Sequence, residues 1–97
     1  MTNYTIRVEL HGAEGGDKYE KLHEAMKAQG FSKTITIDGA TYELPTAEYS
    51  LRSNSTSKQA VLKKAETAAN KVQPKPKPSI LVTSSELSRA FSGLKKI

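Results

Sequence analysis

The hydrophobic period of the chain changes once between Thr5 and Gly30, and no other feature restricts the fold as much. In "TIRVELH" (Thr5 to His11), Ile6, Val8 and Leu10 alternate with Thr5, Arg7, Glu9 and His11, the period of a half-buried strand. From Asp17 the spacing becomes helical. Tyr19, Leu22, His23 and Met26 recur at i, i+3, i+4 and i+7, and Gly30 ends the run. Asp17 and Glu20 have the spacing of an acidic capping box.

"TITIDGATYEL" follows, with Ile35 and Ile37 on one side, a hairpin turn at Asp38-Gly39 and a returning strand through Tyr42 and Leu44. Pro45 cannot donate to a ladder and marks a bulge or an edge, after which Ala47, Tyr49 and Leu51 alternate with Glu48, Ser50 and Arg52. That strand is either long or broken. Lys58 to Val72 predicts a second helix, with Val61, Leu62, Ala65, Ala68, Ala69 and Val72 facing inward. Prolines at alternate positions in residues 73–78 predict an extended spacer, and "SILVTSS" predicts a buried last strand. In the extension 86–97, Phe91 and Leu94 are candidate anchors.

The order strand, helix, strand, strand, helix, strand implies one α+β domain over residues 1–97. Its expected form is ferredoxin-like βαββαβ, a four-stranded antiparallel sheet with two helices on one face. The other face would then be open and polar, carrying Arg7, Glu9, His11, Thr34, Thr36, Glu48, Ser50 and Arg52.

Charge is distributed unevenly along this frame. Residues 1–50 hold five Lys or Arg against eight Asp or Glu, whereas residues 51–97 hold ten against two. A basic half of this kind is the electrostatic footprint of a nucleic-acid binder, and it is equally the composition of a lysine-rich solvated surface. With no cysteine, disulfides, thiolate metal sites and cysteine nucleophiles are excluded. No apolar run approaches a membrane span and the N-terminus lacks a signal-peptide pattern, so the expected location is the cytoplasm.

The loop "HGAEGGD" (residues 11–17) invites a test for phosphate binding. A Walker loop starting at Gly12 would need Gly, Lys and Ser or Thr where the chain has Asp17, Lys18 and Tyr19. Glu14 and Asp17 would also repel an anion there. Glu9, His11, Glu14 and Asp17 would suit Mg²⁺ or Mn²⁺ better than zinc, and the same residues make a surface turn and a helix cap. No metal motif with diagnostic spacing occurs, so no metal or other cofactor is assigned. His23 falls on the inner stripe of its helix and reads as a packed boundary residue. His11, on the polar face at a strand end, is the better acid–base candidate. "SNSTSKQ" offers either an anion site at the start of the second helix or plain capping by Ser55, Thr56 or Ser57. Six aromatic residues, none on the outer positions of the first strand, argue against a base-stacking sheet of the RNA-recognition kind.

Taken in order, "YTIRVELHGA", "YEKLHEAMKAQGFSKTIT", "GATYELPTAEYS" and "ILVTSS" resemble the GhoS-like family of small bacterial proteins, from about Tyr4 to Thr83. That resemblance implies a ferredoxin-like fold, similar to the small CRISPR-associated nuclease of spacer acquisition. It also implies the activity of a type V toxin–antitoxin antitoxin, an endoribonuclease acting on messenger RNA. In the nuclease an aspartate ends the first strand as a metal ligand; here Glu9 and His11 stand there, so metal dependence does not carry over.

The expectation is an antitoxin-like protein that binds RNA and, as an enzyme, would cleave it. Lys58, Lys63, Lys64 and Lys71 would hold phosphates, Arg7 and Arg52 would stabilise charge at phosphorus, and His11, beside Glu9, would move a proton. The alternative is a non-enzymatic module that pairs as a homodimer or with another protein; a small-ligand regulatory domain has no motif behind it.

Overall fold

The structure, a computed structural model, describes residues 2–12, 17–86, 89–90 and 92–97. Strand β1 (Thr2–Glu9) is followed by helix α1 (Asp17–Ala28), the hairpin β2 (Thr34–Ile37) and β3 (Ala40–Glu43), and strand β4 (Glu48–Ser53). Helix α2 (Lys58–Val72), β5 (Ser79–Ser85) and the short β6 (Lys95–Lys96) complete the chain.

The four-stranded sheet is not what forms. The strands make two separate three-stranded sheets, in the orders β4-β1-β5 and β2-β3-β6, with every pairing antiparallel. The expected run through Pro45 breaks between Leu44 and Ala47, and β2 does not lie along β4. The two sheets meet where Ser32 and Ser50 exchange backbone hydrogen bonds at 2.8 Å. The Lys33 ammonium reinforces this junction, donating to the carbonyls of Pro45 (2.5 Å), Thr46 (3.1 Å) and Glu48 (3.0 Å). The outer neighbour of β3 comes from the C-terminus, through Tyr42–Lys96 and Glu43–Lys95.

The helices cover the face of β1 that carries Tyr4, Ile6 and Val8. These pack with Leu22 and Met26 of α1 and with Val61, Ala65, Ala68 and Ala69 of α2 in one buried cluster. Alanines at the α2 positions allow that helix close approach to the sheet. Helix α1 ends in a Schellman motif: Gly30, at φ 93°, donates to Lys27 (2.9 Å), Phe31 donates to Met26 (3.0 Å), and both Met26 and Phe31 are buried. Asp17 is the first helical residue rather than the cap before it, and the preceding residues 13–16, like Phe91, lie outside the described residues. Helix α2 is capped by Ser57, whose Oγ accepts from the Ala60 amide at 3.1 Å. The β2–β3 hairpin turns at Asp38 (φ 52°) and Gly39 (φ 79°), the left-handed pair that a type I′ turn requires.

Strand β5 is half-buried rather than buried: Ile80 and Val82 face the core, and Leu81 is 61% exposed on the other face. Residues 73–78 bend at 75–76 instead of extending, and are anchored at Gln73 and Pro78, both buried. Among the described residues, no helix is long and apolar enough to cross a membrane.

Candidate nucleic-acid interface

Strand register places the outer-face residues of the β4-β1-β5 sheet in rows. Arg52, Asn3 and Ser85 form one row and Ser50, Thr5 and Thr83 the next. Glu48, Arg7 and Leu81 form the third, and Glu9 pairs with Ser79 in the last. Period two therefore assigned Arg7, Glu9, Glu48 and Arg52 to this face correctly. Thr34 and Thr36 leave it, because β2 belongs to the other sheet, and Ser50 is only 6% exposed.

Arg7, Glu9 and His11 gather at one end. Arg7 and Glu9 line a shallow depression of about 140 Å³ with Ser79, Ile80 and Leu81. His11 is exposed, yet held at two points: its Nε2 lies 2.6 Å from Ser79 Oγ, and its carbonyl accepts from Gln73 Nε2 at 2.7 Å. Arg7 reaches Glu48 at 3.8 Å while remaining 65% exposed, a pairing worth about 0–1 kcal/mol. Arg52 does not join this group. It stands beside Asn3, six residues back along β1 from Glu9, or about 20 Å of extended strand. No single phosphate can touch both His11 and Arg52.

The predicted phosphate-binding lysines lie on the other side of the molecule. Helix α2 packs on the inner face, so Lys58, Lys63, Lys64 and Lys71 point away from the sheet, all exposed. Lys63, Lys64, Thr67, Asn70 and Lys71 recur at i, i+1, i+4, i+7 and i+8 and form one polar stripe. With Lys75 and Lys77 of the following loop, residues 58–77 carry six exposed lysines against a single acid, Glu66. The cap contributed by Ser57 answers the question raised by "SNSTSKQ" in favour of capping for that serine.

Two features escaped the sequence reading. One is Arg89, half-buried, whose Nη1 donates to the Tyr4 carbonyl (3.3 Å) and to Thr5 Oγ1 (3.1 Å) on the outer face. Only a pairing of residues more than 80 positions apart could have revealed it. The other is a cleft of about 520 Å³ lined by His23, Lys27, Phe31, Ser32 and Lys33. His23 Nδ1 is 2.5 Å from the hydroxyl of the buried Tyr49, and the Lys33 ammonium sits 5.0 Å above the Tyr49 ring. Burial, then the Lys33 charge, push His23 below its usual range, partly opposed by Glu20 and Glu43. Burial lowers Lys33 and raises Tyr49 well above a free phenol. His23 is thus a boundary residue, as its position on the helix suggested, and its imidazole is held toward the neutral form.

Among the described residues, no group of three or more His, Asp or Glu side chains is placed to hold a metal ion; Glu14, part of the expected oxygen cluster, lies outside them. No known protein family, curated protein or solved structure matches the chain.

Proposed function

We propose that this protein binds RNA, in the manner of a cytoplasmic bacterial antitoxin. The observation that carries the reading is the solvent side of α2 and its following loop, with six lysines and one acid among residues 58–77. Lysines in such a stripe contact the sugar–phosphate chain without reading sequence, and the intervening Asn70 adds a neutral donor. RNA cleavage, which the GhoS-like resemblance implies, falls in this reading to the other side, at Arg7, Glu9 and His11. His11 would take the proton of a ribose 2′-hydroxyl as that oxygen attacks the adjacent phosphorus, with Arg7 facing the charge that develops. The P–O5′ bond would break with water protonating the departing 5′-oxygen, and a 2′,3′-cyclic phosphate would remain. Arg52 has no part in that step.

The test is a titration of labelled single-stranded RNA at several salt concentrations, with cleavage followed in the same samples with and without EDTA. Log K should fall linearly with log salt, and Lys63→Glu with Lys64→Glu should flatten the slope by about 1.4, corresponding to two phosphate contacts. Binding indifferent to salt would remove the reading. Cleavage that persists unchanged in His11→Ala would remove the catalytic assignment alone.

A second reading, a homodimeric module, draws on β5. Among the described residues this strand pairs only with β1, and its sequence "SILVTSS" contains neither charge nor proline, the usual guards of a sheet edge. Light scattering at two protein concentrations, with and without RNA, separates the readings: a stable dimer indifferent to RNA supports the module.

A further inference from the structure

Arg52 and Arg89 share one end of the outer sheet face, and among the described residues neither makes an ion pair with a carboxylate. Cross-strand register puts Arg52 beside Asn3, diagonal to Thr5, and diagonal neighbours lie about 7–8 Å apart, a gap that an arginine side chain spans easily. Arg89 arrives from the opposite direction, on the segment after β5, and its Nη1 is fixed on Tyr4 O and Thr5 Oγ1. Both bonds use the same nitrogen. Nε–H and Nη2 of Arg89 therefore keep their donors, with no acceptor among the described residues. Burial lowers the affinity of Arg89 for its proton, and Arg52 lowers it further; no carboxylate acts in the opposite sense. The two rows around the pair hold Asn3, Thr5, Ser50, Thr83 and Ser85, which are neutral hydrogen-bonding residues. Of the acids on the neighbouring strand positions, Glu48 pairs with Arg7, and Glu86, after β5, accepts from the Thr2 hydroxyl at 2.6 Å.

We infer that Arg52 and Arg89 form a phosphate-binding site on the outer face of the β4-β1-β5 sheet. Two adjacent guanidinium groups repel each other until an anion lies between them, and the planar fork of donors matches the oxygens of a phosphate. Arg89 is the oriented member, held by backbone and by Thr5, and Arg52 is the exposed member that closes on the ligand. The phosphate is either a free anion or a phosphodiester of an RNA strand; the RNA source rests on the reading proposed above, and the free anion does not.

The experiment has one arm for each source and uses the full chain. In the first, inorganic phosphate is titrated into ¹⁵N-labelled protein against chloride at equal ionic strength, and the Thr5, Arg52 and Arg89 signals are followed. Saturable shifts confined to phosphate are expected, abolished in Arg89→Gln and about tenfold weaker in Arg89→Lys, which keeps the charge and loses the fork. In the second arm, single-stranded RNA should bind about tenfold more weakly to Arg52→Gln and to Arg89→Gln. The double variant should flatten the salt slope by about 0.7, the value for one shared phosphate rather than two. Thermal melts check that Arg89→Gln is folded, and Arg52→Gln, at an exposed position, tests the same site without that concern. Saturation by phosphate with no RNA binding leaves the site standing and sinks the RNA reading. RNA binding unchanged in both variants, together with phosphate shifts no larger than those of chloride, overturns the site and leaves the α2 reading intact.

Discussion

At the scale of single residues, Lys33 has the most to lose. Its ammonium has three donors, and three carbonyls from the Pro45–Glu48 turn accept them, so the side chain closes the junction between the two sheets from within the α1–β2 connection. Burial pulls its proton affinity down and prevails over the Glu43 and Glu48 carboxylates, which favour the charged form. Lys33→Met should cost about 1–2 kcal/mol, since water can reach part of the turn, and a urea titration would register the loss. The same substitution removes a positive charge that acts on His23, so the His23 titration followed by NMR should move upward in the variant. His23 itself makes stability depend on pH in a defined sense. Its folded pKa lies below the ordinary 6.5, so the unfolded chain binds the proton more readily. The stabilisation is complete above pH 6.5 and is lost as pH falls through the folded value. Between pH 7.5 and 5.5 the urea midpoint of the wild type should drop, and that of His23→Gln should drop less; parallel curves would show that His23 is not the titrating group.

At the scale of elements, local chemistry accounts for the ends and turns better than for the sheets. Gly30 adopts φ 93° to let Phe31 fold back on Met26, a conformation that costs a residue with a β-carbon about 1–2 kcal/mol. Gly30→Ala should therefore lower stability by about 1 kcal/mol or somewhat more, although nothing lies within 4 Å of the added methyl group. Ser57→Ala should cost about 1 kcal/mol through loss of the α2 cap, and an additive double variant would confirm that the two helix ends act independently. Gly30 was legible because it stops a period-3.6 run, and the Asp38-Gly39 hairpin for the same kind of reason, whereas the α2 cap was legible only as one of Ser55, Thr56 and Ser57. The break at Pro45 was legible only as an ambiguity between a bulge and an edge. Nothing in "ELPTAE" states that the hairpin leaves the first sheet, because that outcome depends on Lys33, twelve to fifteen residues away, and on β6, about fifty residues away.

At the scale of the whole molecule, the chain presents two basic surfaces on opposite sides of one sheet, and sequence alone merged them into a single site. Period two placed Arg7, Glu9 and Arg52 on one face but is blind to register, and it is register that sets Arg52 against Asn3 and so separates it from His11. Arg89 was unreadable for a related reason: the C-terminal segment has no periodicity, and its role comes from crossing to Thr5 and then to β3. The importance of that segment can be measured by ending the chain at Glu86. Among the described residues, the main core cluster, with the hydrophobics packed against it, runs from Tyr4 to Val82, so truncation removes none of its described members. Among the described residues, what is lost is the Arg89 anchor, the β3–β6 pairing, and the cover that Leu94 gives near Leu44, which with Ile35 is buried outside that cluster. Partial exposure of one or two such side chains costs about 2–3 kcal/mol, offset by the freed conformational entropy of the removed residues. The truncated chain should still unfold cooperatively, with a Tm lowered on the order of 10 °C. Its RNA affinity should fall at least to that of Arg89→Gln, because Lys95 and Lys96 leave with Arg89 while the α2 lysines are untouched. A truncated chain that melts without a transition would mean that the C-terminal segment belongs to the core, and an RNA affinity equal to the full chain's would mean that Arg89 holds Thr5 for the sake of the fold alone.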